Sequence, residues 1–376
     1  MEHYLDNSAT TRVCPEAAQA ALRAMTEVYG NPSSTHTKGR EAKQLLDKSR
    51  KQVADALGCT AQELVFTSCG SESDNWAILN GAELMRRKGM HIISSQVEHD
   101  AVRKSLDELE RRGFEVTRLK PDETGAIPVQ AVMEALRPDT VLVTLMLVNN
   151  ETGAVTDIGA IAKAMKKAGS QALLHTDAVQ AFMKLPFTVK TLGADLVSVS
   201  GHKIHAPKGI GALYIKNGVK LKPYLLGGGQ ENGRRAGTEA MPQIAAFGAA
   251  CQTAREHLQE NYERMAALRQ LAIDALRRDI PELVVIGGGA PHILSISLPG
   301  WRSEVLMNYM EAREIYVSKS SACKKGGRSH VLEAIGLAPK VIDGAIRIGL
   351  SRFTTQEDIL ALCAALKEAR SKLAHA

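Results

Sequence analysis

The chain has 376 residues, 44% of them hydrophobic and 23% charged, with a formal net charge of +6. That balance is ordinary for a globular protein and excludes a disordered polyelectrolyte or a low-complexity chain. For this length the charge is modest, so basic clusters such as "RRK" (86–88) and "KK" (166–167) read as solvated helix faces, and no direct nucleic-acid partner is expected.

The opening "MEHYLDNSATT" lacks the basic-then-apolar pattern of a secretory leader. The longest apolar run, "VLVTLMLV" at 141–148, falls short of the ~20 residues a membrane helix needs. A cytoplasmic chain with no membrane partner is therefore expected. The six cysteines, at 14, 59, 69, 251, 323 and 363, form no C-x-x-C pair and are expected as reduced thiols. Cys59, Cys251 and Cys363 read as small buried residues.

In chain order, "ELVFTS" (63–68) predicts a strand and 72–89 a helix. Then come strand 91–95, helix 99–112, strand 114–119, helix 128–137 and strand 140–148. Helix 158–168 and strands 172–176, 195–200 and 211–215 complete the first part. Alternating strands and helices, with nearly continuous apolar strands, predict an α/β fold with a mainly parallel sheet covered by helices. One long helix is expected over 245–278. Beyond it the pattern is α+β: strand 292–298, helix 303–312, strand 315–318, a loop with Cys323, helix 329–336, strand 345–351 and a last helix at 355–372. A domain boundary is expected near the long helix.

In open α/β sheets, ligands bind beyond the carboxyl ends of strands. Three such ends carry polar residues. "CGSES" follows the first strand, and its Gly70 and Ser71 suit either an anion at a helix start or a plain serine cap. Asp177, with Gln180 close behind, follows "ALLHT", as a helix cap or as the partner of a protonated ring nitrogen. "GHKIHAPKGIG" follows "DLVSVS", and places Lys203 as a surface residue or as a desolvated amine. Together they are the groups that pyridoxal 5'-phosphate (PLP) needs: a phosphate cradle, an acid for a pyridinium and a Schiff-base lysine. No Walker A, G-x-G-x-x-G or H-E-x-x-H pattern competes. Cys323 sits in "YVSKSSACKKGG" (316–327), among small residues and Lys319, Lys324 and Lys325, which suits a reactive thiolate on a loop.

From "YLDNSATT" (4–11) through "NPSSTH", "FTSCGSESDN", "VEHDAV", "VNNETGAV", "HTDAVQA", "SGHKIHAPKGIGALY" and "GGGQENGRRAGT" to "SSAC" and "SRFTT" (351–355), the chain closely resembles the PLP-dependent cysteine desulfurases of the NifS/IscS kind, in the class V aminotransferase group of PLP fold-type I. The resemblance implies a large PLP-binding domain over 15–250. It also implies a smaller α+β domain, from 1–14 and 251–376, that carries the Cys323 loop. By position, Lys203 carries the cofactor, His99 stacks on its ring, Asp177 pairs with the ring nitrogen and Gln180 bonds the ring hydroxyl. Gly70, Ser71, Ser200 and His202 hold the phosphate, and Thr238 reaches in from the partner of a homodimer. Asn150 and Arg352 hold the substrate L-cysteine, and Cys323 receives its sulfur as a persulfide, leaving alanine. No resident metal is implied, although Cys323 is expected to meet an iron–sulfur cluster transiently.

The implied acceptor is a partner protein: an iron–sulfur scaffold, or a tRNA- or thiamine-thiolation enzyme. The segment after Cys323, "KKGGRSHVL", is shorter and more basic than in housekeeping members, which points toward a dedicated acceptor. Ser71 stands where the family usually has threonine, Cys69 where it has glycine, and Ala206 interrupts the usual H-x-x-G-P-K-G. The competing expectations are a selenocysteine lyase or another class V lyase, and a non-catalytic sulfur-relay scaffold.

Overall fold

The computed structural model describes residues 2–319 and 327–373. Seven strands make the large sheet: β1 (Leu64–Thr67), β2 (His91–Ser95), β3 (Glu115–Leu119), β4 (Thr140–Thr144), β5 (Leu173–Asp177), β6 (Leu196–Ser200) and β7 (Gly211–Ile215). Their order is β1-β7-β6-β5-β4-β2-β3, and only β7 runs against its neighbours. β2, β4, β5, β6 and β7 are buried along their whole length, as helices on both faces require.

A four-stranded antiparallel sheet follows: β8 (Val284–Ile286), β9 (Ile293–Ser297), β10 (Ser318–Lys319) and β11 (Ala345–Gly349), in the order β10-β11-β9-β8. It packs on helices Leu258–Asp279 and Gln356–Lys372 around Leu276, Ile296, Ile348 and Leu366. The architecture is thus α/β with a mainly parallel sheet, joined to an α+β part.

Several elements differ from expectation. The helix expected over 245–278 is two, Met241–Glu256 and Leu258–Asp279, broken at His257 (φ −119°, ψ 19°). The first buries Phe247 and Cys251 in the large core, the second Leu268 and Leu276 in the core of the antiparallel sheet. No single straight helix presents apolar faces to two differently placed cores, and neither glycine nor proline marks the break. The strand expected over 315–318 is also split. Ile315–Tyr316 pairs in parallel with His3–Tyr4, and Ser318–Lys319 joins β11. Two N-terminal helices, Pro15–Thr26 and Thr37–Leu57, add to the expected elements, and the second stops at left-handed Gly58 (φ 72°).

The N-terminal segment bridges the two parts. It leaves its pairing with Ile315–Tyr316 and crosses β11 at Gly349, whose amide donates to Leu5 O and whose carbonyl accepts from Asn7. A Cβ at Gly349 would lie 2.5 Å from Ser8 N, so only glycine admits the crossing. The segment then runs over the carboxyl edge of the large sheet.

Candidate active site

β5 and β6 are parallel neighbours, with Asp177 in register with Ser198. Both strands therefore end together, which sets Asp177, Ser200 and the turn Gly201–Lys203 side by side. Thr11 closes the N-terminal segment onto that turn. Its hydroxyl donates to His202 O (2.8 Å) and accepts from the His205 amide (2.8 Å). Lys203 Nζ donates to Ser8 O (2.6 Å) and Ala9 O (2.8 Å). Gln180 Nε2 donates to the same Ser8 carbonyl (2.9 Å), while its buried Oε1 has no partner among the described residues.

Asp177 is 6% exposed and accepts from the Val179 amide (2.9 Å). Burial pushes its carboxyl up, and the nearby charges of His99 and Lys203 pull it back. Asp74, buried close by, is driven well above the carboxylate range by burial and then by the charge of Asp177. Glu98 is pushed up to about 8, mainly by burial. Of three neighbouring acids, Asp177 is thus the one beside the Lys203 amine and the best placed to stay ionised.

A helix begins at Gly70, leaving first-turn amides without intrahelical acceptors. A Cβ on Gly70 would fall 2.7 Å from Val179 Cγ2 and 3.5 Å from Ser200 Cβ, so this helix start abuts the β5 and β6 ends. Ser200 Oγ is buried with no partner among the described residues, and Ser71 is exposed. Glu72, in the same first turn, is neutralised by Arg235 (2.9 Å). His202 pairs with Thr10 Oγ1 (3.2 Å), and burial pushes its imidazole down to about 4. His99 caps helix Asp100–Arg111, its Nδ1 accepting from the Ala101 amide (3.1 Å), which leaves Nε2 to carry the ring proton.

From the antiparallel sheet comes Arg352, just beyond β11. Its Nε and Nη2 have no hydrogen-bond partner among the described residues, and it lines a small cavity with Lys203 and Lys184. Asn150 lies nearby in sequence to the buried turn after β4, its carbonyl accepting from Arg347 (2.8 Å). Thr238 is exposed and is not gathered with these groups. It ends a segment clamped to the large sheet by Glu231 on Arg50 (2.5 Å) and on the Phe66 amide (3.0 Å). Cys323 lies outside the described residues. Among the described residues no group of three or more His, Cys, Asp or Glu is arranged to hold a metal ion.

Sequence reasoning missed four residues here. The carbonyls of Ser8 and Ala9 hold the Lys203 amine, which side-chain chemistry cannot reveal. Lys184 is 4% exposed, and its signal was a lysine inside the apolar run "AFMKLPF". Arg347 is 2% exposed within strand "AIRIG" and bonds Asp6 (3.1 Å) and Ser318 (2.8 Å).

These groups fit PLP. A buried acid stands beside an amine at adjacent strand ends, a helix start abuts Ser200, and Gln180 Oε1, Ser200 Oγ and the Arg352 guanidinium retain unused capacity. With the seven-stranded, mainly parallel sheet, they define a fold-type I PLP enzyme. The class-V aminotransferase family model matches residues 3–362. Cysteine desulfurase IscS of Methanosarcina thermophila is 42% identical over 361 residues, covering 95% of this chain and 89% of that one. A solved NifS-like protein superposes with a TM-score of 0.93 at 35% identity, covering 99% of this chain and all 100% of the other. A structure of SspA in complex with cysteine gives 0.81 at 32% identity, over 94% of this chain and 100% of that one. The chain belongs to the class-V aminotransferase family and, within it, to the PLP-dependent cysteine desulfurases of the NifS/IscS kind.

Proposed function

We propose that this enzyme takes sulfur from L-cysteine onto Cys323, releasing L-alanine, with the residue roles that follow. The observation that carries it is the Lys203 amine, held over the large sheet's edge beside the buried Asp177. PLP, bound through Lys203, supplies an electron sink for chemistry at the substrate's α-carbon. Asp177 keeps a proton on the ring nitrogen by its negative charge. Gln180 Oε1 takes the ring hydroxyl, and Gly70, Ser71, Ser200 and His202 receive the phosphate. His99 covers the ring. Arg352, aided by Asn150, grips the substrate carboxylate through paired N–H groups. The Lys203 amine would be the base placed to accept the substrate's α-proton.

The Cys323 thiolate then attacks the substrate sulfur. A sulfur–sulfur bond forms as the carbon–sulfur bond breaks, its electron pair staying with carbon, which is protonated as alanine forms. Lys319, Lys324 and Lys325 favour the thiolate.

Residues 15–250 hold the cofactor, and 1–14 with 251–376 form the unit bearing Cys323. In support, the second apolar core draws only on Leu5 and on residues from Met265 onward, although Ala290, Ile293 and Val331 pack with the first. The enzyme works as a cytoplasmic homodimer in which Thr238 completes the phosphate site of the partner. In support, Thr238 is exposed on its clamped segment, and Leu226 nearby is 87% exposed, apolar surface of the kind a second copy covers. No described helix is long and apolar enough to cross a membrane. The persulfide passes to an acceptor protein, an iron–sulfur scaffold or a tRNA- or thiamine-thiolation enzyme, and the basic residues after Cys323 favour an acidic face on it.

The test uses radiolabelled L-cysteine. Wild type should yield alanine and label on Cys323. Cys323→Ser should reduce both to background while cysteine still changes the spectrum of the bound cofactor, because a hydroxyl is a poor sulfur acceptor. Alanine formation at the wild-type rate would remove Cys323 from the reaction and favour a lyase.

A further inference from the structure

Lys184 lies seven residues beyond Asp177, just after Met183, whose backbone is left-handed (φ 54°). Its side chain is 4% exposed, and Nζ has no hydrogen-bond partner among the described residues. It lines one small cavity with Lys203 and Arg352, and no carboxylate lines that cavity. Burying an unpaired amine is costly, and methionine would fill the same space without that penalty. Packing alone therefore gives no reason for a lysine here.

The groups around Lys184 are basic. Lys203 is the nearest cation in effect, then Arg347 from β11. His202 and His205, from the turn after β6, and His292, at the start of β9, all feel its charge. Those three imidazoles are held neutral, chiefly by burial. Burial and the charge of Lys203 bring Lys184 itself down to about 7.

Lys203 feels opposing pulls. The carbonyls of Ser8 and Ala9, and the charge of Asp177, all favour a proton on its nitrogen. Lys184 opposes it. We propose that Lys184 and Lys203 form a proton-sharing amine pair, in which Lys184 takes the positive charge whenever the Lys203 nitrogen is neutral and thereby keeps that nitrogen unprotonated. The shared proton exchanges with solvent. Lys184 is then a positioning residue, acting through Lys203. The proposal rests on Lys203 as the cofactor-bearing lysine, and it explains why a buried amine stands where an apolar residue would fit.

Two measurements test it. In the loaded protein, the visible absorbance of the bound cofactor is titrated with pH. Lys184→Met should raise the midpoint by about one unit, a tenfold rise in the protonated fraction relative to the unprotonated at fixed pH. Lys184→Arg, whose charge is permanent, should leave the midpoint at or below that of wild type. An unchanged midpoint in Lys184→Met, or equal upward shifts in both variants, overturns the proposal, since a purely structural role moves both alike. Should Lys184→Met fail to fold, Lys184→Gln takes its place.

In the apoprotein, lysine-selective carbon-13 NMR follows Lys184 directly. Lys203→Met should raise the Lys184 midpoint about tenfold in proton affinity. No change there overturns the pair. The function assignment fails separately, if borohydride does not fix the cofactor to Lys203.

Discussion

The carboxyl edge of the large sheet and the antiparallel sheet treat their charged residues differently. At the edge, Lys203, Asp177 and Gln180 are packed beneath the N-terminal segment, and the backbone of Ser8 and Ala9 sets where the amine stands. In the antiparallel part, two arginines five positions apart contrast. Arg347, inside β11, is engaged through both terminal nitrogens by Asn150, Asp6 and Ser318, and its Nε alone lacks a partner among the described residues. Arg352, beyond the strand end, has no hydrogen-bond partner for Nε and Nη2 among the described residues and stacks on Phe353, 5.0 Å from the ring centre. A charge that the fold satisfies holds the fold. One left without partners at a strand end suits the ligand role proposed for Arg352. Under the proposed roles, the large sheet supplies fixed cofactor chemistry and the second sheet supplies the group that meets the substrate.

The largest effect belongs to the edge. Lys203→Ala should lower alanine formation by about 10²–10⁴-fold from the lost base alone, while PLP still binds noncovalently. Turnover near the wild-type rate would erase the distinction between the two regions. Next comes Arg352→Lys. Losing one of two parallel bonds to a carboxylate is worth about 1.5–3 kcal/mol, so KM for L-cysteine should rise about 10- to 100-fold with PLP affinity unchanged. A loss of PLP instead would make Arg352 a second Arg347.

The smallest effect is one of stability, beneath the edge. His175 is fully buried against Thr144 and Ser198, and burial pushes its imidazole down to about 3. Unfolded, it titrates near ~6.5. Between those values the unfolded chain binds the extra proton, so stability falls as pH drops from about 6.5 toward 3, by up to ~1.4 kcal/mol per unit. Urea midpoints measured from pH 7 to 4 should fall less steeply in His175→Gln than in wild type. Equal slopes would place the acid sensitivity elsewhere.

Much of the site was legible because strand-end positions follow directly from apolar runs. "ALLHT" ending at Asp177 and "DLVSVS" ending before Lys203 needed only the sheet rule to suggest a shared crevice. Gly70 was legible as a helix start, but not its approach to Val179, which depends on how the helix docks. Lys184 and Arg347 were visible as charges inside apolar runs, yet the groups around them lie on other elements. The break at His257 left no local trace, since it answers to two cores and not to a helix-breaking residue.

By itself the sequence determined the α/β class through its local pattern and the cofactor through its family resemblance, and it pointed to Asp177, Lys203 and Cys323 as the residues of the proposed chemistry. Only the tertiary structure decided that the N-terminal carbonyls would hold Lys203, that Arg352 would share its cavity, and that Lys184 would stand behind it without a partner. Those relations are set by chain crossings between residues up to several hundred positions apart. Burial and charge proximity arise only there, and no local periodicity encodes them.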